Sequence, residues 1–438
     1  MAHVSAQQTL QWKDLKPYVS PPPEARVRGV LMSRGSNRVQ VIVPELALFD
    51  IQALQRITKI ELCAEPCEVA ETTSAVPGFY DVPVIVDETL LDRNDLALTS
   101  TVPGAYLQTN GSDLLNGYFE TRTCRLTTSL SGEQIQSSRT EDVSLISEAL
   151  NNFTELRIQK RLDETLQIPP LPESAQRIIT LQADPNYSLG ELVGIIETDP
   201  SIAARILGWA NSAFLNANPP AKSIEDAVVR ILGADTAMSM ALGIAIGESL
   251  RLPRSHVGGL PPFWLDTVFC AATMEALARH IPARQRPIIG LCYLSGLLAN
   301  FGTLVLGHVF APYFATICAL QEANRHLPHT FIDQQVLQLP REVVASALLE
   351  LWALPQEVSD AVRFQYATDY EGNNATYVNL LSLARKTLGA QGLNDSPPSP
   401  LDEAAAASLG LDWEALAGVA ELINESRDDL AGFARFMG

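Results

Sequence analysis

Basic residues are scarce in this chain. Its 31 Lys plus Arg stand against 50 Asp plus Glu, a formal net charge of −19. Nucleic-acid affinity comes largely from Lys and Arg neutralising phosphates, so this balance argues against nucleic acid and anionic membrane surfaces as partners. The six cysteines (Cys63, Cys67, Cys124, Cys270, Cys292, Cys318) are few and dispersed. Residues 1–20 carry no uninterrupted apolar core of the secretory type, and the expected compartment is the reducing cytoplasm. Cys63 and Cys67 are close enough to suggest a metal, but no second Cys or His pair follows at zinc spacing. They are expected to be plain thiols.

Charge is missing altogether from Pro287 to Gln321, a stretch without Asp, Glu, Lys or Arg. That is long enough to cross a bilayer. Asn300, His308, Pro312 and several glycines interrupt it, however, and the expected reading is a helix pair apolar all round because it lies in a helical core. No membrane span is expected.

At 438 residues, 47% apolar and 18% charged, the chain has the composition of a folded protein of two or three domains. Its first third reads in the period of strands. "VRGVLMSRGSNRVQVIV" gives two β-rich runs around Arg34-Gly35-Ser36-Asn37, a hairpin signal. Short apolar runs follow at Pro83–Val86 and Ala105–Gln108, with a helix-like stretch near Ile51–Ile57. From about Glu141 the period becomes helical, and a Pro-rich entry "IPPLPES" opens a series of capped short helices. Ser188 with Glu191 makes a capping box, Asp199-Pro200 an N-cap with Pro at the first helical position, and Ser223 with Asp226 a similar start before Gly233. The expected organisation is an α/β domain over 1–135, a connecting helix over 136–165, an all-α domain over 166–370 and a peripheral helical tail over 371–438.

"IPPLPESAQRIITL", "LVGIIETDPSIAARILGWANSAF", "SIEDAVVRILG", "LSGLLANFGTLVL" and "ALLELWALPQEVSDAVRFQY" stand in the order and roughly the spacing of the HDOD family. This resemblance implies a helical relative of the HD phosphohydrolases of the kind found in bacterial signal transduction. In an HD phosphohydrolase a helix His, an adjacent His-Asp pair and later acids or histidines hold a metal that activates water. The position resembling the pair here reads Ala299-Asn300. The earlier helix His is replaced by Asp266, and Gln365-Tyr366 stand where HDOD chains often carry paired histidines. No His-Asp dipeptide occurs in the chain, and its histidines (His3, His256, His280, His308, His326, His329) form no i, i+4 pair. The expectation is therefore no metal, no cofactor and no catalytic residue. Ile202, Ile206, Trp209 and Ala210 are expected in the core, Asn211 and Ser212 as caps or groove residues, and Trp352 as a packing anchor.

"GVLMSRGSNRVQVIVPELALFDIQAL" and "SAVPGFYDVPVIVDETLL" resemble the YbaK type of aminoacyl-tRNA deacylase domain, over about residues 22–125. That resemblance implies a mixed-sheet α/β fold with an early-strand lysine and a Gly-rich loop. Arg28 stands at the lysine position, and the loop reads Ser74-Ala75-Val76-Pro77-Gly78-Phe79 with one glycine. Arg is not equivalent to Lys in such a role, so Arg28, Ser74, Pro77 and Gly78 read as a vestigial pocket. Residues 1–130 also hold 11 Lys plus Arg against 15 Asp plus Glu, which opposes tRNA binding. The chain reads as a non-catalytic regulatory protein that binds a protein partner or a small signalling ligand. The alternative is a hydrolase, either an editing deacylase in the first domain or a metal-dependent phosphohydrolase in the second.

Overall fold

Local turn chemistry sets the start of the fold. In the computed structural model β2 (Arg26–Arg34) and β3 (Asn37–Pro44) pair antiparallel from Val27 opposite Pro44 to Arg34 opposite Asn37. Gly35, at φ +61°, supplies the left-handed backbone that a two-residue hairpin turn requires. The structure describes residues 16–65, 82–99, 106–116, 120–129, 141–142, 144–146, 170–184, 186–250, 263–309, 311–324, 326–367, 369–394 and 400–437.

The chain divides into two units. The first comprises residues 1–134 together with 255–260 and 315–332. Its main sheet runs β1 (Pro17–Tyr18), β8 (Tyr106–Thr109), β7 (Leu96–Thr99), β2, β3, β6 (Val84–Asp87), β9 (Thr121–Cys124), and β5 (Cys63–Ala64) also pairs with β2. The sheet is mixed: β2–β7, β3–β6 and β6–β9 are parallel, while the hairpin, β7–β8 and β1–β8 are antiparallel. A two-stranded sheet pairs β4 (Ala47–Phe49) with β10 (Thr127–Ser129). Val27, Ile42, Val84, Val86, Leu96 and Leu98 interlock with Leu90 and Leu114 in its core. The helix α1 (Ile51–Thr58) starts where Asp50 accepts from the amides of Gln52 and Ala53, and α2 is Gly111–Asn116.

The second unit comprises residues 135–254, 261–314 and 333–438. Its helices begin with α3 (Glu173–Gln182), α4 (Leu189–Glu197) and α5 (Pro200–Ala210). The Ser188–Glu191 capping box is formed in both directions, and Asp199 accepts from the amides of Ser201 and Ile202. Ser223 caps α6 (Ile224–Asp226), which runs into a π-helical turn over Ala227–Leu232, and Gly233, at φ +79°, ends it. There follow α7 (Ala234–Ser249), α8 (Phe263–His280), α9 (Ile289–Leu297) and α10 (Phe301–Val309). Next come α11 (Ala311–Ala323) and α12 (His329–Leu337), each divided between the two units, then α13 (Arg341–Leu351), α14 (Gln356–Phe364) and α15 (Ala375–Ala390). The chain closes with α16 (Glu403–Ser408), α17 (Trp413–Glu425) and α18 (Arg427–Met437).

The stretch Ile289–His308 is long and apolar enough to cross a membrane; an 18-residue window within it has mean hydropathy 1.7, and 83% of that window is buried inside the structure. Its two helices are broken at Leu298–Asn300. Ile202, Ile206, Trp209 and Ala210 form one buried stripe, and Trp352 packs its ring 5.7 Å from that of Phe301. The apolar side chains of α15, α17 and α18, among them Leu381, Ala384, Leu388, Leu416, Ile423, Leu430 and Phe433, belong to the same core. The connecting helix expected over 136–165 lies mostly outside the described residues. Its Asp142 accepts from Arg363 Nε and Nη2 at 2.7 and 2.8 Å.

Candidate functional site

In the second unit the structure brings Asp266, Ala299, Asn300, Gln365 and Tyr366 together. Asp266 lies in the first turn of α8 and is 3% exposed. Ala299 and Asn300 occupy the break between α9 and α10. Gly296, in the last turn of α9, lets that helix press on α8: a Cβ there would meet the Ala271 backbone at 2.6 Å. This close approach carries Asn300 to Asp266, and Asn300 Nδ2 donates to Asp266 Oδ2. Gln365, just past α14, donates through Nε2 to the carbonyls of Ala299 and Val362, both at 3.0 Å.

The centre of the cluster is a residue that the motifs did not single out. Arg385, on α15 and 2% exposed, donates from Nη1 to Asn300 Oδ1 at 3.2 Å. The same nitrogen lies 3.9 Å from Asp266 Oδ2, and the guanidinium carbon stands 5.1 Å over the Tyr366 ring. A carboxylate, an amide oxygen and a ring face thus surround one buried cation, each an environment that favours a guanidinium. The sequence does carry a signal for it. Leu381, Ala384, Arg385 and Leu388 fall on one helical face, and an arginine on an otherwise apolar stripe demands a buried partner.

Other predicted positions resolve as structural. Asn211, the C-cap of α5, donates to the Ala221 carbonyl at 3.0 Å and accepts from the Ala221 amide at 2.6 Å. His280 ends α8, with Nδ1 2.9 Å from the Ala276 carbonyl oxygen. Among the described residues, Cys63, Cys124, Cys270, Cys292 and Cys318 form no disulfide. His3, His256 and Cys67 lie outside the described residues.

In the first unit both terminal nitrogens of Arg28 are hydrogen-bonded. Its Nη1 donates to the Ala323 carbonyl and its Nη2 to Asn324 Oδ1, both at 2.8 Å. Asn324 Oδ1 also accepts from the Phe49 amide at 2.8 Å, while its Nδ2 donates to the carbonyls of Phe49 and Leu320. Arg28 and Asn324 therefore clasp residues 320–324 to strands β2 and β4. Burial pushes the Arg28 guanidinium down to about 9, against the opposing pull of Glu45, so it stays charged at neutral pH. His326 lies nearby, and burial together with the Arg28 charge, against the opposing effect of the Glu45 backbone, holds it down to about 3. Ser74, Pro77 and Gly78 lie outside the described residues. Asp87, in the "VIVDETLL" segment, has both carboxylate oxygens engaged: one accepts from the Thr89 amide and hydroxyl, the other from the Leu126 amide and the Thr127 hydroxyl.

The HDOD domain model matches residues 168–368. This segment is an HDOD domain. A protein from Marinobacter aquaeolei VT8 whose name gives it a role in signal transduction is similar over nearly the whole length. It is 31% identical, covers 96% of this chain and 95% of its own, and superposes with a TM-score of 0.84. An HDOD domain protein from Geobacter sulfurreducens shares the fold at 20% identity and TM-score 0.53, over 68% of this chain and 99% of its own. An uncharacterized protein of Treponema pallidum (strain Nichols) is 24% identical over 209 residues, 48% of this chain, and that match spans only 39% of the relative's own length. Arg385 lies beyond the matched HDOD segment.

The kinship of HDOD domains with HD phosphohydrolases implies a divalent ion at the resembling positions. The residues present do not fit one. Ala299 offers no donor atom, Asn300 offers a neutral amide, and the single carboxylate of this network, Asp266, faces the Arg385 cation. A metal site needs several convergent lone-pair donors, and here the central position is next to a positive charge.

Proposed function

We propose that this protein is a non-catalytic regulator in a cytoplasmic signalling pathway, whose HDOD domain presents its helices to a protein partner or a small signalling ligand. The observation that carries this reading is the Asp266–Asn300–Arg385 network, because a single buried carboxylate that accepts from an amide and faces a guanidinium is poorly suited to bind a metal or to activate water. The similarity to the Marinobacter protein supports the signalling context. The first domain is proposed to keep a YbaK-like fold as a sensor or docking element, since Arg28 is spent on a clasp and Asp87 on local backbone. Neither position is left to polarise an ester carbonyl.

The test is a hydrolysis assay on chromogenic phosphomonoester and phosphodiester probes with Mn²⁺, Mg²⁺ and Fe²⁺, and on mischarged tRNAs, run beside Asp266→Asn and Arg28→Ala. The expected outcome is turnover at background for all proteins. General acid/base help alone contributes roughly 10²–10⁴-fold, so turnover of that size in the wild type that disappears in either variant would make the chain a hydrolase.

A further inference from the structure

The structure assigns to Arg385 the place of a resident cation: we propose that its guanidinium, delivered from α15 outside the HDOD segment, substitutes for the ion of an HD centre and locks that centre shut. The proposal rests on reading Asp266, Ala299 and Asn300 as the metal-ligand positions, and it adds what now occupies them. Arg385 is on the buried face of α15, between Leu381, Ala384 and Leu388, all 0% exposed. Helix α15 packs on α8, α9 and α14, the helices that carry or flank Asp266, Ala299-Asn300 and Gln365-Tyr366. One positive charge therefore meets all three segments, as a metal would. The match is chemical as well as positional. Asp266 Oδ2 is 3.9 Å from Nη1, Asn300 Oδ1 accepts from the same nitrogen at 3.2 Å, and Tyr366 offers its ring face at 5.1 Å. A planar, permanently charged, weakly hydrated group suits that set of partners better than a compact ammonium or a metal ion does. Asn394 Nδ2 donates to the Arg385 carbonyl at 2.8 Å and ties the following turn back to this residue.

If the guanidinium is the resident ion, removing it should leave a cavity that selects guanidinium-type cations. The experiment is thermal unfolding of the full chain as wild type, Arg385→Ala and Asp266→Asn/Arg385→Ala. Each is measured with methylguanidinium chloride at about 10 mM, well below denaturing levels, and with sodium chloride, urea and Mn²⁺ as separate controls. The expected result is a lower midpoint for Arg385→Ala and a rise of about 3 °C on adding methylguanidinium. That rise should be absent from the wild type and from the double variant. Arg385→Lys, which keeps charge but loses the fork, should fall between wild type and Arg385→Ala, and it serves as the reporter if the alanine variant does not fold. A methylguanidinium response in Arg385→Ala no larger than in wild type would overturn the proposal. So would a Mn²⁺-induced rise in the wild type that is lost in Asp266→Asn, because the resident cation would then be a metal. Both readouts are midpoints, so hydrolysis found in the assay above would overturn the non-catalytic reading without deciding this one.

Discussion

Each unit buries an arginine that reaches residues far away in sequence, and the two arginines are accommodated differently. Arg28 donates to a backbone carbonyl and a side-chain amide. Glu45 pulls on it electrostatically but does not fully offset its burial, and its pKa falls to about 9. Arg385 instead meets a carboxylate, an amide oxygen and an aromatic face. The first arrangement is a clasp between segments far apart in sequence. The second is a charge-compensated centre that repeats the electrostatic balance of a metal site. Burial alone thus does not mark a residual active site; the nature of the partner decides what the buried charge does.

The comparison breaks most readily at Asp266. Replacing it with Leu leaves Arg385 buried without its counter-charge, and loss of one member of a buried pair costs about 3–5 kcal/mol. Chemical denaturation followed by circular dichroism should show that loss as a lower midpoint in the helical unfolding transition. Arg28→Met removes two hydrogen bonds from a charged donor but also relieves an incompletely matched buried cation. The expected loss is about 2 kcal/mol, read by the same measurement. A cost for Arg28→Met equal to or above that of Asp266→Leu would erase the distinction between clasp and centre.

The smallest effect is a dependence on pH in the first unit. His326 takes up a proton near its ordinary 6.5 in the unfolded chain, but only near 3 in the fold, because burial and the Arg28 cation oppose its charge. The unfolded state therefore binds more protons between these values. Stability from this residue is complete above about pH 6.5 and declines as the pH falls toward 3. At pH 5.5 the loss is about 1.4 kcal/mol. His326→Asn should flatten that part of the stability profile, and an unchanged slope in the variant would remove His326 from the account.

Much of the fold was legible because its signals are local. The Arg34–Asn37 hairpin follows from Gly35 between two alternating runs, and the Ser188–Glu191 box and the Asp199-Pro200 start each need only four residues of sequence. Asp266, Asn300 and Gln365-Tyr366 were legible as a set because they fall at family-spaced positions, and the structure brings them together. Arg385 was not, since its partners Asn300 and Asp266 are 85 and 119 residues away and no motif spans that distance. An arginine on the Leu381–Leu388 stripe was the only hint. The grouping of residues 315–332 with the first unit was hidden for the same reason: Arg28 reaches Asn324 across 296 residues, and a reading that runs along the chain assigns such a segment to its neighbours in sequence.

The central proposal is that Asp266 and Arg385 are electrostatically coupled at the positions that resemble an HD metal site. A double-mutant cycle on Asp266→Leu and Arg385→Leu, with unfolding free energies from denaturant titration, tests it most directly. Two apolar residues in place of a matched buried pair often restore stability, so the double variant should be more stable than Asp266→Leu, with a coupling of about 2 kcal/mol or more. Strictly additive losses in the double variant would contradict it, because the two side chains would then be stabilised independently and Arg385 would not be the cation of this centre.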